Sequence, residues 1–361
     1  MREPTRNVKR MNAIDNTAML LAGDVGGTKT LLGLFTADPN RPSAIDVGEF
    51  KTLEYPGLEP MIESFLTSRK VEGRHITAAT FGVAGAVTDA IARLTNVPWI
   101  VDCGSVAERL RFKQTSVLND LEALAYAVTV LEPDELATLQ RGTRHAGGNA
   151  AVIAAGTGLG EAMLHNVNGR LVPGASEGGH ADFAARTPRE IEMLRGLLPL
   201  FGRVSVETIL SGPGLVNVYQ FTHGLLGDGL MRTEASLASA RLCSAVGQVS
   251  DPSELPARIS QAAMDRLCDR CVEALDIFVA VYGAESGNIA LRAVATAGVF
   301  VGGGIAPKIL PALQSGPFLD AFRAKEPMQH LVREIPVAVI LNEDAGLLGA
   351  AVHAQKVSAG E

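Results

Sequence analysis

Two glycine-rich loops, each set between apolar strand runs, constrain this chain more than any other feature. In the first, Leu20–Thr30 reads LLAGDVGGTKT: an apolar run ends in the carboxylate of Asp24 and turns through Gly26, Gly27 and Thr28. In the second, Ala151–Leu164 reads AVIAAGTGLGEAML, with Gly156, Thr157, Gly158 and Gly160 in the turn. Glycine lets a backbone approach a phosphate closely, and the N–H groups of a tight turn form an anion-binding nest. An Asp beside such a nest can hold Mg2+ through water. A ligand-free Gly-Gly hairpin would account for either loop alone. Two loops of one design imply two halves of related architecture facing one ligand. No G-x-x-x-x-G-K-[ST] occurs, and neither loop is a G-x-G-x-x-G opening a helix.

The chain's size fits two halves. Its 361 residues, 47% hydrophobic and 20% charged, suffice for two domains with a sizeable core in each. A net charge of −7 argues against nucleic acid as a partner, because phosphate backbones call for basic patches. No apolar run reads as a membrane span, and the polar start MREPTRNVKRMNAIDNT lacks the apolar region of a signal peptide. A cytoplasmic protein with no membrane partner is the expectation. Cys103, Cys243, Cys268 and Cys271 are too few and too scattered for a disulfide framework. Cys268 and Cys271 form a C-x-x-C inside MDRLCDRCVEALDIFVAVYG, whose periodicity predicts two thiols one turn apart on a helix. No second C-x-x-C or paired-histidine pattern completes a zinc site, so structural cysteines are expected.

Strands are predicted at Met19–Ala22, Leu31–Phe35, Ala78–Val83, Ala90–Leu94 and Val117–Asn119, with an amphipathic helix over Gly57–Lys70 and another from Asp120. A hairpin spans Ala151–Leu164 and a tight turn sits at Asn168–Gly169. Helices dominate Pro188–Ala290. Val299–Gly304 is a buried strand ending in three glycines before a helix over Ile305–Leu313, and Val337–Leu341 leads into a last helix. Strands alternating with helices indicate an α/β protein. The predicted organisation is a polar extension over 1–18, a small α/β domain over 19–130 with the first loop, a large α/β domain over 131–342 with the second, and a helix over 343–361 returning to the small domain.

Polar residues cluster at three further places. Asn119 and Asp120 stand at a strand end just before a helix, where Asp is a common N-cap but where open α/β sheets also bind ligands. Phosphoryl transfer to an alcohol needs one carboxylate to accept the hydroxyl proton; Asp120 suits that role, with Asn119 bonding a neighbouring hydroxyl. In PGASEGGHAD (Pro173–Asp182), Gly178 and Gly179 free the backbone to fold Glu177 and His180 around one ligand, and both side chains suit sugar hydroxyls. Glu207, in RVSVETILSGPGL, stands at the expected start of a helix, where a carboxylate also complements the dipole.

Together these segments resemble the bacterial glucokinase family, ATP-dependent glucose kinases of the actin-like ATPase (ribonuclease H-like) sugar-kinase fold. The resemblance rests on GDVGGT (Gly23–Thr28), LTNVPW (Leu94–Trp99), LND (Leu118–Asp120), AAGTGLG (Ala154–Gly160), EGGHADF (Glu177–Phe183), SGPGLVN (Ser211–Asn217), VGGGIAP (Val301–Pro307) and GLLGAA (Gly346–Ala351). It implies two α/β domains closing an inter-domain cleft on D-glucose, and a homodimer. It also implies that Asp120 is the catalytic base and that Asn119, Asp120, Glu177, His180 and Glu207 contact the sugar. The expected ATP contacts are Gly23, Asp24, Val25, Gly26, Gly27 and Thr28, joined by Gly156, Thr157, Gly158 and Gly303, with Asp24 holding Mg2+ through water. Lys29 and Glu161 depart from the residues common in the family, and residues 1–17 extend beyond its usual start. A kinase of another hexose or amino sugar is the alternative, although no cysteine lies near His180 as in a zinc-containing sugar-kinase family. A non-catalytic sugar sensor is a further reading; too few residues precede the first loop for the DNA-binding domain such sensors carry.

Overall fold

The computed structural model describes residues 19–94, 97–174, 176–228, 233–239 and 242–360. The expected extension over 1–18, Thr95 and Asn96 of LTNVPW, and Ala175 of the PGASEGGHAD segment lie outside the described residues. The chain divides into two compact units, residues 19–133 with 342–360 and residues Asp134–Leu341.

The first unit opens with β1 (Met19–Val25), β2 (Lys29–Thr36), β3 (Ser43–Lys51), α1 (Leu58–Arg69) and β4 (Ile76–Val83). A small antiparallel sheet of β5 (Gly85–Thr88), β6 (Ile91–Leu94) and β7 (Ile100–Asp102) follows, then α2 (Cys103–Leu110), β8 (Thr115–Asn119) and α3 (Asp120–Ala127). The second unit begins with β9 (Leu136–Gln140), β10 (Ala150–Ala155), β11 (Leu159–Val167) and β12 (Arg170–Gly174). Its helices are α4 (Pro188–Phe201), α5 (Gly212–Thr222), α6 (Glu234–Ser239), α7 (Leu255–Met264) and α8 (Asp269–Ala293). It ends with β13 (Gly298–Gly302), α9 (Leu310–Gln314), α10 (Pro317–Arg323), α11 (Gln329–Glu334) and β14 (Val337–Ile340). The last helix, α12 (Ala345–Ala359), belongs to the first unit.

The two main sheets repeat one plan. In the first the order is β3-β2-β1-β4-β8, in the second β12-β11-β10-β13-β14-β9. Each starts with three antiparallel strands joined by hairpins, then adds two strands parallel to the first. Strand alternation sorts the first unit's core into two faces. Leu20 and Ala22 pack with Ala123, Leu347 and Ala351 on one side, while Met19, Leu21 and Val25 pack with Met61, Phe65 and Phe81 on the other. At the turn between β11 and β12, Asn168 and Gly169 take φ of 52° and 83°, the left-handed pair that a two-residue hairpin requires.

Three expectations are corrected here. Cys268 does not lie on the helix: it is the extended N-cap residue of α8, with Cys271 buried in the first turn. Residues 306–309 form a tight 3-10 turn and only Leu310–Gln314 are α-helical, consistent with Pro307 and Pro311 lacking the N–H a continuous helix needs. Finally, α8 is long and apolar enough to cross a membrane by length and composition. Most of it is buried within the second unit, with Phe278, Val279, Tyr282 and Ile289 in the core.

Helix α12 crosses α3 so closely that a Cβ at Gly349 would run into the Ala123 carbonyl. Alanine is worth up to about 1 kcal/mol over glycine in a helix, whereas overpacking against rigid backbone costs about 1–3 kcal/mol. The clash decides the sign. Gly349→Ala is expected to lower the urea midpoint of the first unit's unfolding, and an unchanged or raised midpoint would contradict this packing.

Candidate active site

In the first unit the parallel strands β1, β4 and β8 end together. Asp24 is paired with Gly82, and Val83 with Asn119, so Asp24, Asn119 and Asp120 emerge at one carboxyl edge of the sheet. Asn119 is the N-cap of α3: its Oδ1 accepts the Leu121 N–H at 2.9 Å and its amide donates to the Gly85 carbonyl at 3.1 Å. Asp120 is the first helical residue, and its Oδ1 also accepts the Leu121 N–H at 2.9 Å. The cap proper is therefore Asn119. Gly82 permits this approach, since a Cβ there would stand 2.8 Å from Ala123 Cβ and 3.7 Å from Asp120 Cα.

Asp24 is the pivot of the edge. Its carboxyl is pushed up to about 6, chiefly by burial and then by the Asp120 carboxylate; Lys29 opposes the shift and Asp344 adds a smaller push upward. Gly346, in the first turn of α12, lies so near that a Cβ would be 2.9 Å from Asp24 Oδ2. Asp344 and Gly346 are site neighbours that the sequence reading left out; the Asn-Glu-Asp run before a small-residue helix was the available signal. Carboxylate oxygens crowded together are the hard donors that Mg2+ prefers, so Asp24, with Asp120 and Asp344 nearby, fits a water-bridged Mg2+.

The loop after β1 is held from behind. Gly26 N–H donates to the Lys29 carbonyl at 3.0 Å, and the Gly26 carbonyl accepts the Thr52 hydroxyl at 2.8 Å. Thr52 is buried and its own N–H donates to the Thr28 carbonyl at 3.0 Å. Lys29 pairs with Glu49 at 2.9 Å.

The second unit brings the other loop and the Glu-Gly-Gly-His segment together. Gly156 N–H donates to the Gly158 carbonyl at 2.8 Å, and the Gly156 carbonyl accepts the N–H of Gly212, the first residue of α5, at 2.8 Å. Thr157, Glu207, Thr208, Ser211, Gly214 and Asn217 line part of a cavity of about 210 Å³ at that helix start. Gly303 has φ of 81°, and a Cβ there would collide with the Ala155 carbonyl. Fully buried Tyr282 ties the two strand ends together. Its hydroxyl accepts the Ala155 N–H and donates to the Gly302 carbonyl, each at 3.1 Å. Its place in a long apolar helix gave no hint of that task.

Glu207 lies in a hydrogen-bonded turn ahead of Ser211, the N-cap of α5, and not at a helix start as its sequence suggested. Ser211 caps the Gly214 N–H at 2.9 Å, which fixes the helix start. Glu207 Oε2 accepts the Leu159 N–H at 2.8 Å, Oε1 lies 3.8 Å from His180 Nδ1, and its backbone N–H donates to the Gly179 carbonyl at 2.9 Å. His180 Nε2 is 3.8 Å from Glu177 Oε2. The side chains of Glu177, His180 and Glu207 are 72%, 55% and 31% exposed, so a ligand can reach all three. Behind them Glu161 is 1% exposed, 3.6 Å from Arg292, and its carboxyl is pushed well up by burial and by Glu285. Gly178 lies against it, where any Cβ would strike the Glu161 carboxylate.

Comparisons with known proteins identify the family. A family model described as Glucokinase matches residues 21–357. A glucokinase of Nostoc sp. is 38% identical over 348 residues, spanning 94% of this chain and 99% of that protein. Among solved structures, a glucokinase from an Antarctic psychrotroph superposes with a TM-score of 0.79 at 28% identity, covering 94% of this chain and 99% of that one. A ROK family glucokinase from Streptomyces griseus, solved with glucose and AMPPNP, shares the fold with a TM-score of 0.59 at 20% identity, covering 94% and 99%. Fold and relatives define an ATP-dependent sugar kinase of the actin-like ATPase architecture. Within that class, the chain belongs to the glucokinase family.

The raised Asp24 carboxyl sets a pH dependence with a definite sign. Below the ordinary Asp range both folded and unfolded chains hold the proton; between 3.8 and about 6 the unfolded chain releases it first. The stability associated with this group is therefore full at low pH and lost as pH rises through about 6. Denaturation of the metal-free protein followed from pH 4 to pH 7 is expected to show this component, and Asp24→Asn to remove it. A variant profile parallel to the wild type would refute the crowding at Asp24.

Proposed function

We propose that this chain transfers the γ-phosphoryl group of ATP to the 6-hydroxyl of D-glucose, giving glucose 6-phosphate and ADP. The observation that carries the reading is the strand-end position of Asp120 beside Asn119 and Asp24, together with the accessible Glu177–His180–Glu207 cluster. Asp120 accepts the proton of the attacking hydroxyl as the O6–P bond forms and the bond from Pγ to the β,γ-bridging oxygen breaks. Asn119, Glu177, His180 and Glu207 hold the sugar hydroxyls, the carboxylates as acceptors and His180 as donor or acceptor. The backbone of Gly23–Thr28 and of Gly156–Gly158, with Gly303 allowing close packing behind the second loop, receives the nucleotide phosphates. Mg2+, held by Asp24 through water, would neutralise charge on those phosphates. The small unit with its returning helix and the large unit act as the two domains of the kinase. The protein works as a cytoplasmic homodimer at the first step of glycolysis.

A coupled ADP-release assay over a panel of hexoses and amino sugars is expected to give the highest kcat/KM with glucose; a better acceptor elsewhere in the panel would replace this reading. Asp120→Asn keeps the shape of the carboxylate but cannot take the proton, so kcat is expected to fall by roughly 10²–10⁴ while glucose binding persists. Near-normal turnover would return Asp120 to a purely structural role. Glu177→Gln and His180→Ala are expected to weaken glucose binding by about 1–3 kcal/mol, with a much smaller change in KM for ATP. Equal losses for both ligands would count against a sugar contact.

A further inference from the structure

Four side chains of the second unit that take no part in this site converge on one point. His223 follows α5, Cys243 sits in the turn after α6, Cys268 precedes α8 and Cys271 lies in its first turn. Their Nε2 or Nδ1 and three Sγ atoms all lie within 4.8 Å of one another. Cys243 Sγ is 3.7 Å from Cys271 Sγ, while Cys268 Sγ and Cys271 Sγ are 3.6 and 3.9 Å from His223 Nε2. Zinc bonds of about 2.3 Å to sulfur and about 2.0 Å to nitrogen, at tetrahedral angles, require S···S edges of about 3.8 Å and S···N edges of about 3.5 Å. These three separations lie close to those edges, and the others stay within 4.8 Å.

The surroundings orient the set. His223 Nδ1 lies 2.9 Å from the Tyr219 carbonyl, which makes it the protonated nitrogen and leaves the Nε2 lone pair toward the sulfurs. The Tyr219 ring stacks on the imidazole at 4.0 Å, and its hydroxyl accepts the Cys243 N–H at 3.0 Å. One buried aromatic thus fixes two segments that each bring a ligand. All three cysteines are free thiols.

We propose that His223, Cys243, Cys268 and Cys271 bind a zinc ion. Three sulfurs and one imidazole are the soft, tetrahedral donor set that selects zinc over the hard cations suited to Asp24. Four protein ligands leave no open position, so the ion is structural: it clips the end of α5 and the turn after α6 to the start of α8. On binding, the three thiols release their protons to solvent, and three thiolates with a neutral imidazole and Zn2+ carry a net charge of −1.

The test uses the full-length, untagged protein expressed with added zinc and passed over a chelating resin. Mass spectrometry of bound metal is expected to find about one zinc per chain, retained in Cys103→Ser and lost in Cys243→Ser and His223→Ala. The metal-free protein titrated with Co2+ is expected to show thiolate-to-cobalt charge transfer and the intense visible bands of a tetrahedral centre, and this readout stands even where a variant fails to fold. Chelation is expected to lower Tm while the far-ultraviolet dichroism at room temperature persists. Wild-type protein holding under about a tenth of an equivalent of zinc, with no tetrahedral cobalt spectrum, would overturn the proposal. So would a disulfide among these three cysteines in protein prepared under reducing conditions.

Discussion

Sliding β1 by one residue against β4 would turn Asp24 to the opposite face of the sheet, among Leu32, Phe65 and Phe81, and strand an ionisable group in hydrocarbon. Burial on both faces prevents that slip, because Leu20 and Ala22 must meet α3 and α12 while Met19, Leu21 and Val25 must meet the α1 side. The same register delivers Asp24 to the edge where Asp120 begins α3. Hydrophobic packing along a strand thereby sets the position of a charged group at its end. The raised carboxyl of Asp24 is the electrostatic side of the same constraint.

The second sheet repeats the plan and uses it differently. Its strand ends carry no carboxylate like Asp24; Tyr282 and Gly303 hold β10 and β13 close beneath the glycine loop. Glu207 then joins that loop to the Glu-Gly-Gly-His turn, accepting from Leu159 with its side chain and donating to Gly179 with its backbone. A shift in either loop is felt by the other through one residue. The buried Glu161 carboxyl lies behind Gly178, with Arg292 at 3.6 Å, so the backing of this turn is polar, and burial and Glu285 favour the protonated carboxyl.

The glycine hairpins, the strand ends and the Glu-Gly-Gly-His turn were legible because their signals are local: a few neighbouring residues dictate each backbone shape. Asn119 and Asp120 were legible as a pair, although the division of capping between them was not, since both can reach the Leu121 N–H. Glu207 was misread because Ser211 outcompetes it as a helix start once Gly212 and Pro213 follow. The thiol–imidazole cluster was invisible for a different reason. Its members are brought together by the packing of α5 and α8 and by Tyr219, and no spacing rule links a C-x-x-C to one distant cysteine and one distant histidine. The length and apolarity of α8 similarly reflect burial inside a unit, which composition alone cannot distinguish from burial in lipid.

The first unit is assembled from two stretches of chain, residues 19–133 and 342–360, with the whole second unit encoded between them. Synthesis on the ribosome therefore finishes the sheet of β1, β4 and β8 long before α12 exists to cover Leu20, Ala22 and Ala78. For that interval an apolar face stands open and the Asp24 edge lacks Gly346 and Asp344 beside it. Residues 342–360 leave the tunnel only after the whole second unit, so the nascent chain completes its earliest core, and the carboxylate cluster around Asp24, after that unit has been made. Premature stops that spare every strand would still leave this core uncovered.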